Sequence, residues 1–99
     1  MAAAYNGHEG VVEELLGQPS IRVNDTVQHD YTALHWAAMQ GHQGVVRMLA
    51  SHHDVNVNAR NEWGETPLKE ADKKGHQDCA HILRATLNKV QVGGHLYTA

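Results

Sequence analysis

The dipeptide Gly-His occurs three times, at Gly7-His8, Gly41-His42 and Gly75-His76, at a constant spacing of 34 residues. Other positions keep the same period. Ala3-Ala4 maps onto Ala37-Ala38, Val11-Val12 onto Val45-Val46, and Leu15 onto Leu49 and Leu83. Val23-Asn24 returns as Val57-Asn58, and Thr32-Ala33-Leu34 returns as Thr66-Pro67-Leu68. Residues 3–16 match residues 37–50 at 8 of 14 positions. Self-similarity at such a period builds a line of small units, because each unit carries an apolar face that only its neighbour can cover.

Each period reads as helix, tight turn, helix, loop. In the third copy Thr66 is suited to cap a helix, and Pro67 fits the first helical position. Leu68 and Ala71 then share a face, and Gly75 ends the helix in a left-handed turn. A second helix is predicted over about residues 77–85, with Cys79, Ile82 and Leu83 on one side. In the second copy Thr32 caps, Leu34 and Ala37-Ala38 face inward, and Gly41 terminates. Val45, Val46, Met48 and Leu49 form the stripe of the following helix. Phenylalanine is absent, so the core must be built from small aliphatics, and the alanines let paired helices approach closely.

The stretch Thr66-Pro67-Leu68-Lys69-Glu70-Ala71, followed by Gly75-His76, resembles the ankyrin repeat. So do Thr32-Ala33-Leu34-His35-Trp36-Ala37-Ala38 with Gly41-His42, and Val57-Asn58-Ala59 leading into Asn61-Glu62-Trp63-Gly64. The resemblance implies an all-α solenoid of stacked antiparallel helix pairs joined by β-turn fingers. It covers about residues 2–87, as a partial repeat at 2–26, a repeat at 27–60 and a repeat at 61–87. The ankyrin domain is thus taken as residues 1–87, with a C-terminal tail at 88–99 that Gly93-Gly94 marks as loose. The first copy begins inside its first helix. The extra residue per period falls in the loops at 18–22 and 52–56. Asp30 stands where the family has a turn glycine, Ala33 where it has proline, Lys69 where it has histidine, and Asp72 where it has alanine. The third copy is the more polar, as suits a terminal capping repeat.

Composition excludes several classes. Ninety-nine residues allow one small domain, and no apolar run approaches the ~20 residues that cross a bilayer. A net charge of −3 without blocks of like charge argues against a nucleic-acid partner, and no membrane partner is expected. The amino-terminal residues lack a secretory pattern, which points to the cytoplasm or nucleus. A single cysteine, Cys79, cannot form an internal disulfide. It falls on the core stripe, in register with Val11 and Val45, and reads as a small buried hydrophobe.

Histidine is unusually frequent, at 9 residues, and full protonation would carry the net charge from −3 to +6. The resemblance implies that His8, His35, His42 and His76 are structural bridges between neighbouring repeats. His29, His52, His53, His81 and His95 are additional. His52-His53-Asp54 is the nearest approach to a metal motif, but adjacent residues rarely address one ion, and no second ligand pair stands at zinc-site spacing. No metal, no cofactor and no catalytic residue is expected. Buried neutral histidines would make stability fall as pH drops from about 7 to 5.

What remains is recognition. The resemblance implies a concave face, lined by fingers and first helices, that binds a protein. Carried onto this sequence, that face comprises Gln28, His29 and Tyr31 from one finger and Glu62, Trp63 and Glu65 from the next. Tyr5, Asn6, Trp36, Met39, Gln40, Lys73 and Lys74 come from the first helices. The chain is therefore expected to be a non-catalytic protein-interaction module. The alternative is a self-associating or stacking element of a longer array, with a homo-oligomer formed through the partial first repeat. Asn24 and Asn58 occupy a place where asparagines of the family are hydroxylated, although a loop-holding role is the simpler reading.

Overall fold

A computed structural model describes the backbone of residues 2–98 and the side chains of residues 2–88. Six helices follow in order: α1 (Ala2–Tyr5), α2 (Glu9–Leu16), α3 (Ala33–Gln40), α4 (Gln43–Ala50), α5 (Pro67–Lys74) and α6 (Gln77–Thr98). The first helices α1, α3 and α5 pack in one row, and the second helices α2, α4 and α6 pack in a row behind them. The array is short, with extents of 42 × 32 × 24 Å.

Local sequence sets the helix ends. The Thr32 hydroxyl accepts the His35 amide at 3.3 Å, while the Thr32 amide donates to His35 Nδ1 at 3.1 Å. This reciprocal pair satisfies two of the donors that a helix start leaves free. Thr66 caps α5 in the same way through the Lys69 amide, and Pro67 opens that helix. Gly41 and Gly75 end α3 and α5 at φ 75°, a left-handed conformation that side chains disfavour.

The core lies between the two rows. Leu34, Ala37, Ala38, Val45, Val46 and Leu49 from the second copy join Ala71, Cys79, Ala80 and Leu83 from the third. Burying each leucine contributes about 1.5–3 kcal/mol. The Gly-His repeat has a packing cause. A Cβ on Gly7 would stand 2.6 Å from His42 Nδ1, and a Cβ on Gly41 would stand 2.7 Å from His76 Nδ1. Each histidine ring thus lies on the glycine of the preceding copy, where only a hydrogen leaves room.

Between the pairs, the chain turns out into fingers. Val27 and Tyr31 form a single antiparallel bridge around a 3₁₀ turn at Gln28–Asp30. Asp30 takes the left-handed conformation of the glycine it replaces (φ 62°), and His29 joins it (φ 64°). The Glu62 amide donates to the His29 carbonyl at 2.9 Å and ties one finger to the next.

The carboxyl-terminal segment differs from its expected looseness. Helix α6 continues past residue 85 to Thr98, across the expected boundary at 87–88 and through Gly93-Gly94. The segment holds no proline, and a glycine inside a helix costs about 1 kcal/mol without forbidding it. The His95 side chain lies outside the described residues.

Candidate interaction surface

Four aromatic rings and one imidazole form a continuous strip across the first helices and fingers. Tyr5 on α1 meets Trp36 on α3 edge-on, with ring centroids 5.4 Å apart. Trp36 meets Tyr31 at 4.8 Å, Tyr31 meets Trp63 at 6.2 Å, and Trp63 meets His29 at 4.9 Å. The contacts span all three copies. The centre is half-buried, and the ends are open: Trp63 is 59% exposed and Tyr5 44%. Trp36 is half-buried and joins Tyr5 to Tyr31.

Polar groups fix this strip from beneath. The Asn61 side-chain oxygen accepts the Trp63 and Glu65 amides, both at 2.9 Å, and so shapes the third finger. The Asn61 amide donates to Glu70 Oε1 at 3.4 Å. Both residues are buried. Sequence reasoning missed them as parts of the site. Register was the available signal for Glu70, which falls one period after Trp36 on the same helix face. For Asn61 it was the Asn-x-Trp-Gly turn itself.

The charges of the floor are coupled. The Lys73 ammonium donates to Glu65 Oε2 at 2.8 Å. Mainly through that bond, Glu65 is held down to about 2. The same pairing raises Lys73. Glu70 is pushed up, first by burial and then by the Glu65 carboxylate beside it. Tyr31 is raised by burial and by the negative charge of Glu70 and Glu65. At the outer edge His29 Nδ1 lies 2.8 Å from Glu62 Oε2.

The residues expected on this face thus divide. Tyr5, His29, Tyr31, Trp36, Glu62 and Trp63 are joined directly, and Glu65 and Lys73 form the adjacent ion pair. Asn6, Gln28, Gln40 and Lys74 are exposed and Met39 is half-buried. Among the described residues, their side chains make none of the hydrogen bonds that join the others.

The histidines divide as well. His35 is fully buried. Its Nδ1 accepts the Thr32 amide, so the ring proton sits on Nε2, which donates to the Glu65 carbonyl at 2.8 Å. The ring bridges α3 to the third finger. Burial lowers its pKa, against a smaller opposing effect of its bond to the Glu65 carbonyl. His42 Nε2 bonds the Tyr5 carbonyl at 2.9 Å. His8 departs from the bridging expectation and is exposed. His42 and His76 reach back to the preceding copy.

Behind the array, Asn24 uses its whole amide as a clasp. Its Nδ2 donates to the Asp54 carbonyl and its Oδ1 accepts the Asn56 amide, both at 2.7 Å. Asn58 is exposed, and its amide donates to Asn56 Oδ1 at 3.1 Å. In the same loop the adjacent rings of His52 and His53 do not diverge but stack at 4.6 Å. Their donor atoms and those of Asp54 lie within 4.8 Å of one another. Zinc bond lengths near 2 Å would require this set to draw together, and His52 Nδ1 already accepts the Asp54 amide. Cys79 is buried, and burial raises its thiol pKa, with Asp78 adding to the effect. Such a thiol is a poor nucleophile.

The family model of ankyrin repeats (3 copies) matches residues 1–92. The chain belongs to the ankyrin repeat family. Ankyrin repeats are generally protein–protein interaction modules and are typically non-enzymatic. No curated protein matches the chain. No helix among the described residues is long and apolar enough to cross a membrane.

Proposed function

We infer that this chain is a non-catalytic module that grips a partner protein across its finger and first-helix face. One observation carries the reading: the strip Tyr5–Trp36–Tyr31–Trp63–His29 crosses all three copies while Trp63 stays largely in solvent. Tryptophan and tyrosine are the residues that most often dominate binding energy at interfaces. Here neighbouring rings and Asn61 already hold them, so little ordering entropy is lost on docking. Glu62 and the Glu65–Lys73 pair would form a polar rim. Cytoplasm or nucleus is the setting we propose, and we propose neither nucleic acid nor membrane as a partner.

The test is affinity capture from cell extract with the intact chain and with its Trp63→Ala and Tyr31→Ala variants. Partners captured by the wild type should be lost or reduced at least tenfold with both variants, while helical circular dichroism is unchanged. Equal capture by all three would contradict the assigned face.

The alternative, stacking in a longer array, is weighed by the carboxyl-terminal end. There Asp72 replaces the alanine that is buried as Ala38 in the previous copy, and it bonds Arg84 at 2.9 Å. A further repeat stacked there would desolvate that ion pair, at a cost of several kcal/mol. This favours recognition over head-to-tail assembly. Hydroxylation of Asn24 or Asn58 is a separate proposal that intact mass from native cells decides.

A further inference from the structure

Two sets of carboxyls flank the aromatic strip, and they differ in their partners. On the floor Glu65 holds the Lys73 ammonium at 2.8 Å, with the buried Glu70 carboxyl beside it. At the outer edge the Glu62 side chain is 58% exposed and meets the His29 imidazole at 2.8 Å. Among the described residues the lysine and arginine ion pairs are Arg22–Asp25, Lys73–Glu65 and Arg84–Asp72. None of these cations reaches Glu62.

The neighbour of Glu62 in the turn is Trp63. The backbone holds both in place: the Glu62 amide donates to the His29 carbonyl at 2.9 Å, and the Trp63 amide donates to Asn61 Oδ1 at 2.9 Å. The His29 ring packs on the indole at 4.9 Å while its Nδ1–H donates to the Glu62 carboxylate. One imidazole touches both groups, so carboxylate and indole lie about one ring width apart. Trp63 still keeps 59% of its surface in solvent, and a Cβ on the adjacent Gly64 would meet nothing within 4 Å. An open indole face attracts a cation, and a carboxylate with free lone pairs accepts a fork of N–H donors. A planar, weakly hydrated guanidinium does both at once. A lysine ammonium is a compact, strongly hydrated point charge that suits a single carboxylate, as Lys73 does Glu65.

We propose that the partner delivers an arginine to this fingertip, its guanidinium stacked on Trp63 and forked onto Glu62. The assignment rests on the finger and first-helix face being the interface, and it adds the chemistry of what that face grips. His29 is a positioning residue here, because its bond holds the carboxylate toward the indole. Tyr31, 6.2 Å from Trp63 on the strip, braces the indole from the other side.

The probe is Nα-acetyl-arginine amide, titrated into the intact ¹⁵N-labelled chain at constant ionic strength and pH 8, where a free imidazole is neutral. The citrulline and lysine analogues are titrated in parallel. Saturable shifts of the Trp63 indole N–H and of the Glu62 and Trp63 amides are expected in the millimolar range. Citrulline keeps the shape without the charge and should bind at least tenfold more weakly, and lysine at least threefold. Glu62→Gln and Trp63→Ala should each weaken the arginine probe at least fivefold. Glu13→Gln removes the same charge from the exposed side of α2 and should change it less than twofold. Glu62 and Trp63 are exposed, so both variants should keep their helical signal; if Trp63→Ala does not, Glu62→Gln decides. Equal binding of citrulline or of lysine, full binding by Glu62→Gln, or no saturable shift at tens of millimolar would each overturn the proposal. Such a failure leaves the reading of the face as an interface standing, because the capture comparison with Trp63→Ala and Tyr31→Ala does not depend on which residue the partner presents.

Discussion

Gly41→Ala and Gly75→Ala separate the two reasons for the glycine of the Gly-His pair. Both glycines sit at φ 75° at the end of a first helix. Alanine in a left-handed conformation costs about 1–2 kcal/mol, offset by 0.4–1 kcal/mol from a stiffer unfolded chain. At Gly75 a Cβ would find nothing within 4 Å, so the net loss should be about 1 kcal/mol. At Gly41 the Cβ would stand 2.7 Å from His76 Nδ1 and 2.8 Å from Cε1. The ring must move by several tenths of an ångström and give up its seat, and overpacking of this kind adds about 1–3 kcal/mol. Urea unfolding followed by circular dichroism should therefore give a loss of about 2–4 kcal/mol for Gly41→Ala with an unchanged slope. Adding His76→Ala to Gly41→Ala should recover part of the difference, as a positive coupling in a double-mutant cycle. Equal losses at the two glycines, or no coupling to His76, would refute the interlock.

Other consequences follow from the same geometry. Because burial lowers His35 below 6.5, the unfolded chain binds the extra proton first on acidification. Stability should then fall as pH drops below about 6.5, and a flat unfolding midpoint between pH 7 and 5.5 would contradict this. Glu70 is shifted the other way, so its ionised form destabilises the fold above its raised pKa. Glu70→Gln should therefore stabilise at pH 7, with the gain shrinking toward pH 4.5, as read from urea midpoints at the two values. Thr66→Ala removes the cap of α5 and should cost about 1 kcal/mol, checked by thermal unfolding.

The repeat made the backbone legible. Thr32 and Thr66, Gly41 and Gly75 are local signals whose geometry follows from the residue type, and the helix ends fall where they indicate. The aromatic members of the face were legible too, since their finger and helix positions follow from register. What was not legible depends on neighbours. Asn61 and Glu70 have meaning only once the third finger folds over α5, and a buried carboxyl in a first helix is not an expected position. His8 has the same sequence context as His42, yet His8 is exposed while the His42 ring lies on Gly7. The continuation of α6 through Gly93-Gly94 could not be read from composition, because glycine permits a helix that it does not favour.

If the finger and first-helix face does the binding, hydrogen exchange of the complex will show it. With a captured partner bound, amide protection should rise across residues 28–31, 33–40 and 61–65 and stay unchanged in α4 and in α6 up to residue 88. Protection confined to α4 and α6, on the opposite row, would contradict it.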